Sequence, residues 1–91
     1  MINEIVDKYI SDSETLIKIL SNLITDLDAG FVEQYDNPED LFCTNFSIKK
    51  ILETQIFPDI IRCYFIDKKT SERYLLDVET YHGVGGCLKR I

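Results

Sequence analysis

Apolar side chains recur at helical spacing through the first thirty residues. They form an early run and then a broader stripe, comprising Ile2, Ile5, Val6, Tyr9 and Ile10, and then Leu16, Ile17, Leu20, Leu23, Ile24 and Leu27. Ser11 and Glu14 match a capping box, which either starts a second helix or lies within one long helix. Gly30 suits a helix C-cap because glycine reaches the left-handed conformation without steric cost. Residues 1–30 are therefore predicted to be helical.

The middle of the chain carries weaker signals. Residues 31–40 are predicted to be a connection, in which Asn37-Pro38 marks a turn and Pro38 could open a short helical turn. Residues 46–55 fit either a short helix or a strand. We favour a strand there because the segment borders sequence rich in β-forming residues.

The second half of the chain alternates in the manner of strands. Residues 59–67 and 73–80 are rich in Ile, Tyr, Phe, Leu and Val, and the polar run 68–71 between them predicts an antiparallel hairpin. Alternation places Ile61, Cys63 and Phe65 on one face of the first strand and Tyr74, Leu76 and Val78 on one face of the second. A last strand over residues 87–91 is expected to pair with this hairpin.

Helices followed by strands predict an α+β fold, with N-terminal helices packed on one face of a 3–4 stranded antiparallel sheet. The 91 residues suit a single domain, 1–91, with a helical part at 1–30 and mainly strands over 45–91.

Composition sets the expected compartment. No stretch approaches the roughly 18 apolar residues needed to span a membrane, and the N-terminus lacks the basic flank and apolar run of a signal peptide. A cytoplasmic location is expected. The three cysteines, Cys43, Cys63 and Cys87, are then expected to be free thiols.

The net charge of −6 comes from one part of the chain. No Lys or Arg occurs between Lys18 and Lys49, while six acids lie over residues 26–40 (the acidic segment). The remaining ten acids are balanced by the ten bases. Such a field repels phosphate backbones and attracts basic partners, although a solvated loop that aids solubility is the simpler interpretation.

Catalytic, metal and phosphate chemistry each have a weak signal. His82 and Cys87 could form a base and a nucleophile, but their spacing supplies neither an oxyanion hole nor an orienting group. The run 83–86 is rich in glycine but lacks the phosphate-loop pattern. His82 and the three cysteines lack the paired spacing of a zinc site. We therefore expect no enzyme activity, metal or cofactor.

Direct nucleic-acid binding is also not expected, because the Lys and Arg pairs are scattered over an acidic chain. What remains is an interaction surface, in which aromatic side chains anchor an interface and carboxylates steer a basic partner. The residues predicted to bind a partner are Asp26, Asp28, Glu33, Tyr35, Asp36, Glu39, Asp40 and Phe42.

The tract formed by residues 59–67 and 74–86, together with the acidic helical first half, resembles small immunity proteins of bacterial polymorphic-toxin systems, such as the MafI and CdiI types. The resemblance is one of size, acidity and α+β layout. It implies a cytoplasmic protein that binds a cognate toxin domain, often a nuclease, and blocks its active site.

Two alternatives from other classes stay open. The apolar helical stripe or an open strand edge could form a homodimer, in a structural or regulatory interaction domain without a toxin partner. A small enzyme using Cys87 and His82 is the other.

Overall fold

The computed structural model describes residues 6–44 and 47–91, and in them the chain forms two helices and five strands. In chain order these are β1 (Tyr9–Ile10), α1 (Ser13–Asp28), β2 (Val32–Tyr35), α2 (Ile48–Thr54), β3 (Ile60–Asp67), β4 (Arg73–Glu79) and β5 (Gly85–Arg90). The strands make one antiparallel sheet in the order β1-β5-β4-β3-β2. The fold is α+β as predicted, with one or two more strands than expected.

The predicted hairpin is confirmed as β3 and β4, and the predicted last strand is confirmed as β5, which pairs with β4. The connection between β3 and β4 is tightened by the Asp67 carboxylate, which accepts hydrogen bonds from the amides of Lys69 and Thr70. The predicted inward set is buried: Ile61, Cys63, Phe65, Tyr74, Leu76 and Val78 all belong to the hydrophobic core. This face of the sheet is its inner face, and the opposite one is its outer face.

The two extra strands lie at the edges of the sheet. β1 pairs with β5 in the register Tyr9 to Cys87, so the prediction of helix through residues 9 and 10 is wrong. Ile10 is buried in the core from an extended backbone, and helix formation starts only after Asp12. The earlier helical prediction for Ile2 and Ile5 lies outside the described residues. β2 forms within the predicted connection, because Val32 packs into the core while the chain pairs along β3.

Helix α1 has clear signals at both ends. Asp12 caps its N-terminus by accepting a hydrogen bond from the Thr15 amide at 2.7 Å, so the Ser11–Glu14 box is one residue out of place. At the C-terminus Gly30 adopts φ +79°, and the amides of Gly30 and Phe31 donate to the carbonyls of Leu27 and Asp26. This bonding is a Schellman motif, which confirms that Gly30 ends the helix.

Helix α2 contradicts the strand that we favoured for residues 46–55. Ser47 caps it through the Lys49 amide, and Gln55 ends it in the left-handed conformation. Ile48 and Ile51 are three residues apart, so they fall on one helical face, and both are buried in the same core as α1. Within the described residues only one helix is therefore N-terminal, and α2 follows β2 and precedes β3 in the chain. Phe46 lies outside the described residues.

Two buried residues lie on the outer face, apart from this core. Tyr64 and Leu75 oppose each other across β3 and β4 and are both buried. The chain that follows β2 returns to the sheet at Thr44, whose amide donates to the Arg62 carbonyl at 2.7 Å and whose hydroxyl accepts from the Arg62 amide. Residues 36–43 (the β2–α2 loop) are thus held at one end by β2 and at the other end by Thr44.

Candidate functional site

The β2–α2 loop is built from two successive turns. The Asp40 amide donates to the Asn37 carbonyl at 3.1 Å, and the Cys43 amide donates to the Asp40 carbonyl at 3.1 Å. The Asn37 side chain accepts from the Glu39 amide, and the Asp40 side chain accepts from the Phe42 amide at 3.0 Å. Pro38 therefore lies in a turn and does not open the short helical turn that we considered.

The Asp40 carboxylate anchors this loop to the outer face. Its second oxygen accepts hydrogen bonds from Arg62 Nε and from the Tyr64 hydroxyl, and Arg62 Nη1 also donates to Asp77 at 2.8 Å. The hydrogen bond from Tyr64, followed by that from Arg62, lowers the pKa of Asp40. The same contacts raise the pKa of Tyr64 and of Arg62.

Asp40 was predicted to contact a partner, but its side chain is only 10% exposed and its charge is already paired with Arg62. One of its oxygens fixes the Phe42 backbone while the other holds the sheet. Asp40 therefore positions the loop, and it offers a partner little surface of its own.

The loop presents apolar side chains to solvent. Leu41 is 91% exposed and Phe42 is 69% exposed, and Ile60 on the first position of β3 is exposed beside Phe42. Glu39 and Asp36 are exposed in the same loop and form no ion pair with any described residue. We call Asp36, Glu39, Leu41, Phe42 and Ile60 the loop surface.

Tyr35 connects the edge strand to this anchor. Its ring lies 5.7 Å from that of Tyr64, and the Arg73 guanidinium lies 5.1 Å from the Tyr35 ring centre. Glu33 is exposed two residues earlier on the same face. The predicted residues Tyr35, Glu39, Asp40 and Phe42 thus meet on the outer face, with Tyr64 at their centre.

The two acids at the end of α1 behave differently. Asp26 is only 6% exposed, so its carboxylate has little surface for a partner. Asp28 is exposed, but Lys49 of α2 lies 3.3 Å from it and compensates its charge. Residues 26–40 are therefore not one continuous acidic surface, and the exposed acids there that form no ion pair with a described residue (the uncompensated acids) are Glu33, Asp36 and Glu39.

Five members of the site were missed by the sequence reasoning: Leu41, Ile60, Arg62, Tyr64 and Asp77. A signal for one pair existed, because a four-residue connection at 68–71 places Arg62 opposite Asp77 in the predicted hairpin. The closure of the loop onto Arg62 had no such signal, since Asp40 and Arg62 are far apart in sequence.

The residues considered for catalysis, phosphate binding and metal binding have other structural surroundings than those chemistries need. His82 Nδ1 lies 2.8 Å from the Glu79 carboxylate, Cys87 lies opposite Asp77, and no hydrogen bond joins His82 to Cys87 within the described residues. Gly86 packs so closely on β4 that a Cβ would lie 2.0 Å from the Asp77 carbonyl oxygen, which accounts for glycine there without a phosphate. In residues 6–44 and 47–91, no three His, Cys, Asp or Glu side chains cluster as metal ligands would.

The apolar stripe of α1 is used inside the domain. Leu16, Leu20 and Leu23 are buried in the core, together with Ile19, and Ile17 alone of the predicted stripe is classed as exposed. The helical surface considered for a homodimer is thus occupied by the sheet. None of the helices described is long and apolar enough to cross a membrane.

A scan against protein-family models and searches of the curated proteins and of the solved structures each find no significant match.

Proposed function

We propose that this chain is an immunity protein, which binds a cognate bacterial toxin domain in the cytoplasm and blocks its active site through the loop surface. The toxin domain is a basic protein, and a nuclease is the class that we favour. The observation that carries the proposal is a well-anchored loop that exposes Leu41 and Phe42 beside uncompensated carboxylates. The chain acts by occupying a surface, so it needs no catalytic groups of its own.

The anchoring supports a binding role because association is weakened by the cost of ordering flexible groups. The Phe42 backbone is already fixed through Asp40, and Asp40 is fixed by two side chains of β3. An aromatic side chain held in this way is typical of the anchors that dominate protein interfaces. A loop that served only solubility would have no need to expose Leu41 and Phe42 together.

The charges favour a basic partner. Asp36 and Glu39 form no ion pair with any described residue, in contrast to Asp28, Asp40 and Asp77. A nuclease presents Lys and Arg to its phosphate-bearing substrate, and carboxylates at the same place would both attract the enzyme and compete with that substrate. Complementary charges of this kind act chiefly on the association rate.

Charge reversal tests the proposal. We expect Asp36→Lys combined with Glu39→Lys to slow association with the cognate toxin domain by roughly 10- to 1,000-fold at low salt. The salt dependence of the association rate should fall as well. Stopped-flow or biosensor kinetics at several salt concentrations would measure both effects.

The matched control is Glu14→Lys combined with Glu53→Lys, which makes the same change of net charge at exposed positions of α1 and α2. It should retain most of the wild-type association rate. If both double variants associate alike, or if neither differs from the wild type, the acidic loop is not the steering element and the proposal is wrong.

A further inference from the structure

A small notch lies beside Phe42 on the outer face of the sheet. It has a volume of about 230 Å³ and is lined by Asp40, Phe42, Ile60, Arg62 and Asp77. Phe42 and Ile60 give it apolar walls that face solvent, and the ion pairs of Arg62 with Asp40 and Asp77 form its polar side.

The polar side of the notch has an excess of negative charge. Asp40 and Asp77 together carry two negative charges against the single positive charge of Arg62. Asp77 is half-buried, and only one of its oxygens is bonded to Arg62. A carboxylate has about four acceptor positions, so Asp77 can accept further hydrogen bonds from a donor that enters the notch.

We infer that this notch receives the side chain of an arginine of the partner protein. This rests on the proposed function and names the group by which the partner is recognised. The aliphatic stem would lie on Ile60, the planar guanidinium would stack on the Phe42 ring, and its N–H groups would reach Asp77. Apolar walls beside a carboxylate complement a side chain that is apolar along its stem and cationic at its end.

Arginine fits better than lysine for two physical reasons. A guanidinium is planar and weakly hydrated, so it stacks on an aromatic face at a lower desolvation cost than an ammonium ion. The same face already holds one guanidinium, that of Arg62, between two carboxylates. Arg62 cancels only one of the two negative charges of Asp40 and Asp77, so a second cation is still attracted.

Nuclear magnetic resonance of the full chain tests this inference without a toxin domain. The probes are N-acetyl-arginine-methylamide, the lysine equivalent, and the citrulline equivalent, which matches arginine in shape but carries no charge. We expect the arginine probe to shift the amide signals of residues 42, 60 and 77, with a dissociation constant in the millimolar range. Binding should weaken by about 2- to 5-fold for citrulline, the range for an exposed ion pair, and lysine should lie between the two.

Two variants locate the site. Asp77→Asn keeps an oxygen for Arg62 but loses the charge, and we expect it to abolish the difference between arginine and citrulline. Glu53→Gln, on the exposed side of α2, removes one charge elsewhere and should leave that difference unchanged. Equal shifts with arginine and citrulline in the wild type, or shifts centred away from residues 42, 60 and 77, would overturn the inference.

The test separates this inference from the proposed function. Arginine-selective shifts at the notch in a chain that binds no toxin domain would leave the notch standing and count against the immunity role. Tight toxin binding with no arginine selectivity at the notch would leave the immunity role standing and remove the notch from it.

Discussion

Removing the Phe42 ring should weaken partner binding strongly and leave the fold almost unchanged. Phe42 is 69% exposed, so the loss of its ring costs the folded chain little. Asp40 holds the loop through the backbone of residue 42 and through β3, and none of these bonds involves the ring. Phe42→Ala therefore separates the binding role of the loop from its structural role.

The size of the effect follows from the exposed area. An aromatic residue has roughly 200 Å² of surface, so a 69% exposed Phe42 offers roughly 140 Å² to a partner. At about 25 cal/mol per Å², full burial of that area contributes up to about 3.5 kcal/mol. Imperfect burial lowers this figure, and we expect a loss of about 2–3 kcal/mol, or roughly 30- to 150-fold in Kd.

Titration calorimetry with the toxin domain would measure this loss, and thermal unfolding would check the fold. Ile56→Ala is the matched control, because Ile56 is 73% exposed but lies in the connection between α2 and β3. We expect the control to change Kd by less than about 3-fold, within the range of a surface substitution. Equal losses for Phe42→Ala and Ile56→Ala would refute the assignment of Phe42 as the anchor.

Two further predictions concern the fold and the loop anchor. Gly86→Ala should lower the free energy of unfolding by about 3 kcal/mol, because the new Cβ would clash with the β4 backbone. Gly30→Ala has no such clash and introduces only the backbone strain of φ +79°, so it should lower the free energy of unfolding by about 1 kcal/mol. Denaturant unfolding measures both losses, and equal losses would contradict the clash at Gly86. The Asp40 carboxyl should titrate below its ordinary pKa of 3.8, so its contribution to holding the loop is present above that pH and is lost as the pH falls through the lowered pKa. Carboxyl carbon NMR measures the midpoint, which Tyr64→Phe should raise; a wild-type midpoint at or above 3.8 would contradict the anchor.

The hairpin could be predicted from sequence because its signals are local. Alternation assigns Cys63, Phe65 and Leu76 to the inner face, and a polar connection of four residues sets the register. The C-terminal glycine of α1 is equally local, since a Schellman motif depends on the conformation of Gly30 and on carbonyls within one turn.

The edge strands and α2 depend on tertiary contacts instead. β1 has only two residues, and Ile10 becomes extended because β5 and the core receive it. Ile48 and Ile51 fit a helix by their spacing of three, but the segment borders sequence rich in β-forming residues, so its assignment remained ambiguous. Whether such a short segment forms a helix or a strand depends on the elements that pack against it. The spacing of apolar residues along the chain does not contain that information.

Only part of the candidate site could be predicted from the sequence. The exposed aromatic and acidic character of Glu39 and Phe42 could be predicted from composition. The anchoring role of Asp40 could not, because it depends on Arg62 and Tyr64, which lie more than twenty residues further along the chain. A cluster of acids in sequence thus contained both binding candidates and a structural ion pair.

Hydrogen exchange of the chain, free and in complex with the proposed toxin domain, is the most direct test of the loop surface as the binding site. If the loop surface blocks the toxin, protection on binding should concentrate in residues 36–43 and at the start of β3, while α2 and residues 81–86 exchange as in the free chain. Protection confined to α2 or to residues 81–86, with the loop unchanged, would show that the loop surface does not bind the toxin domain.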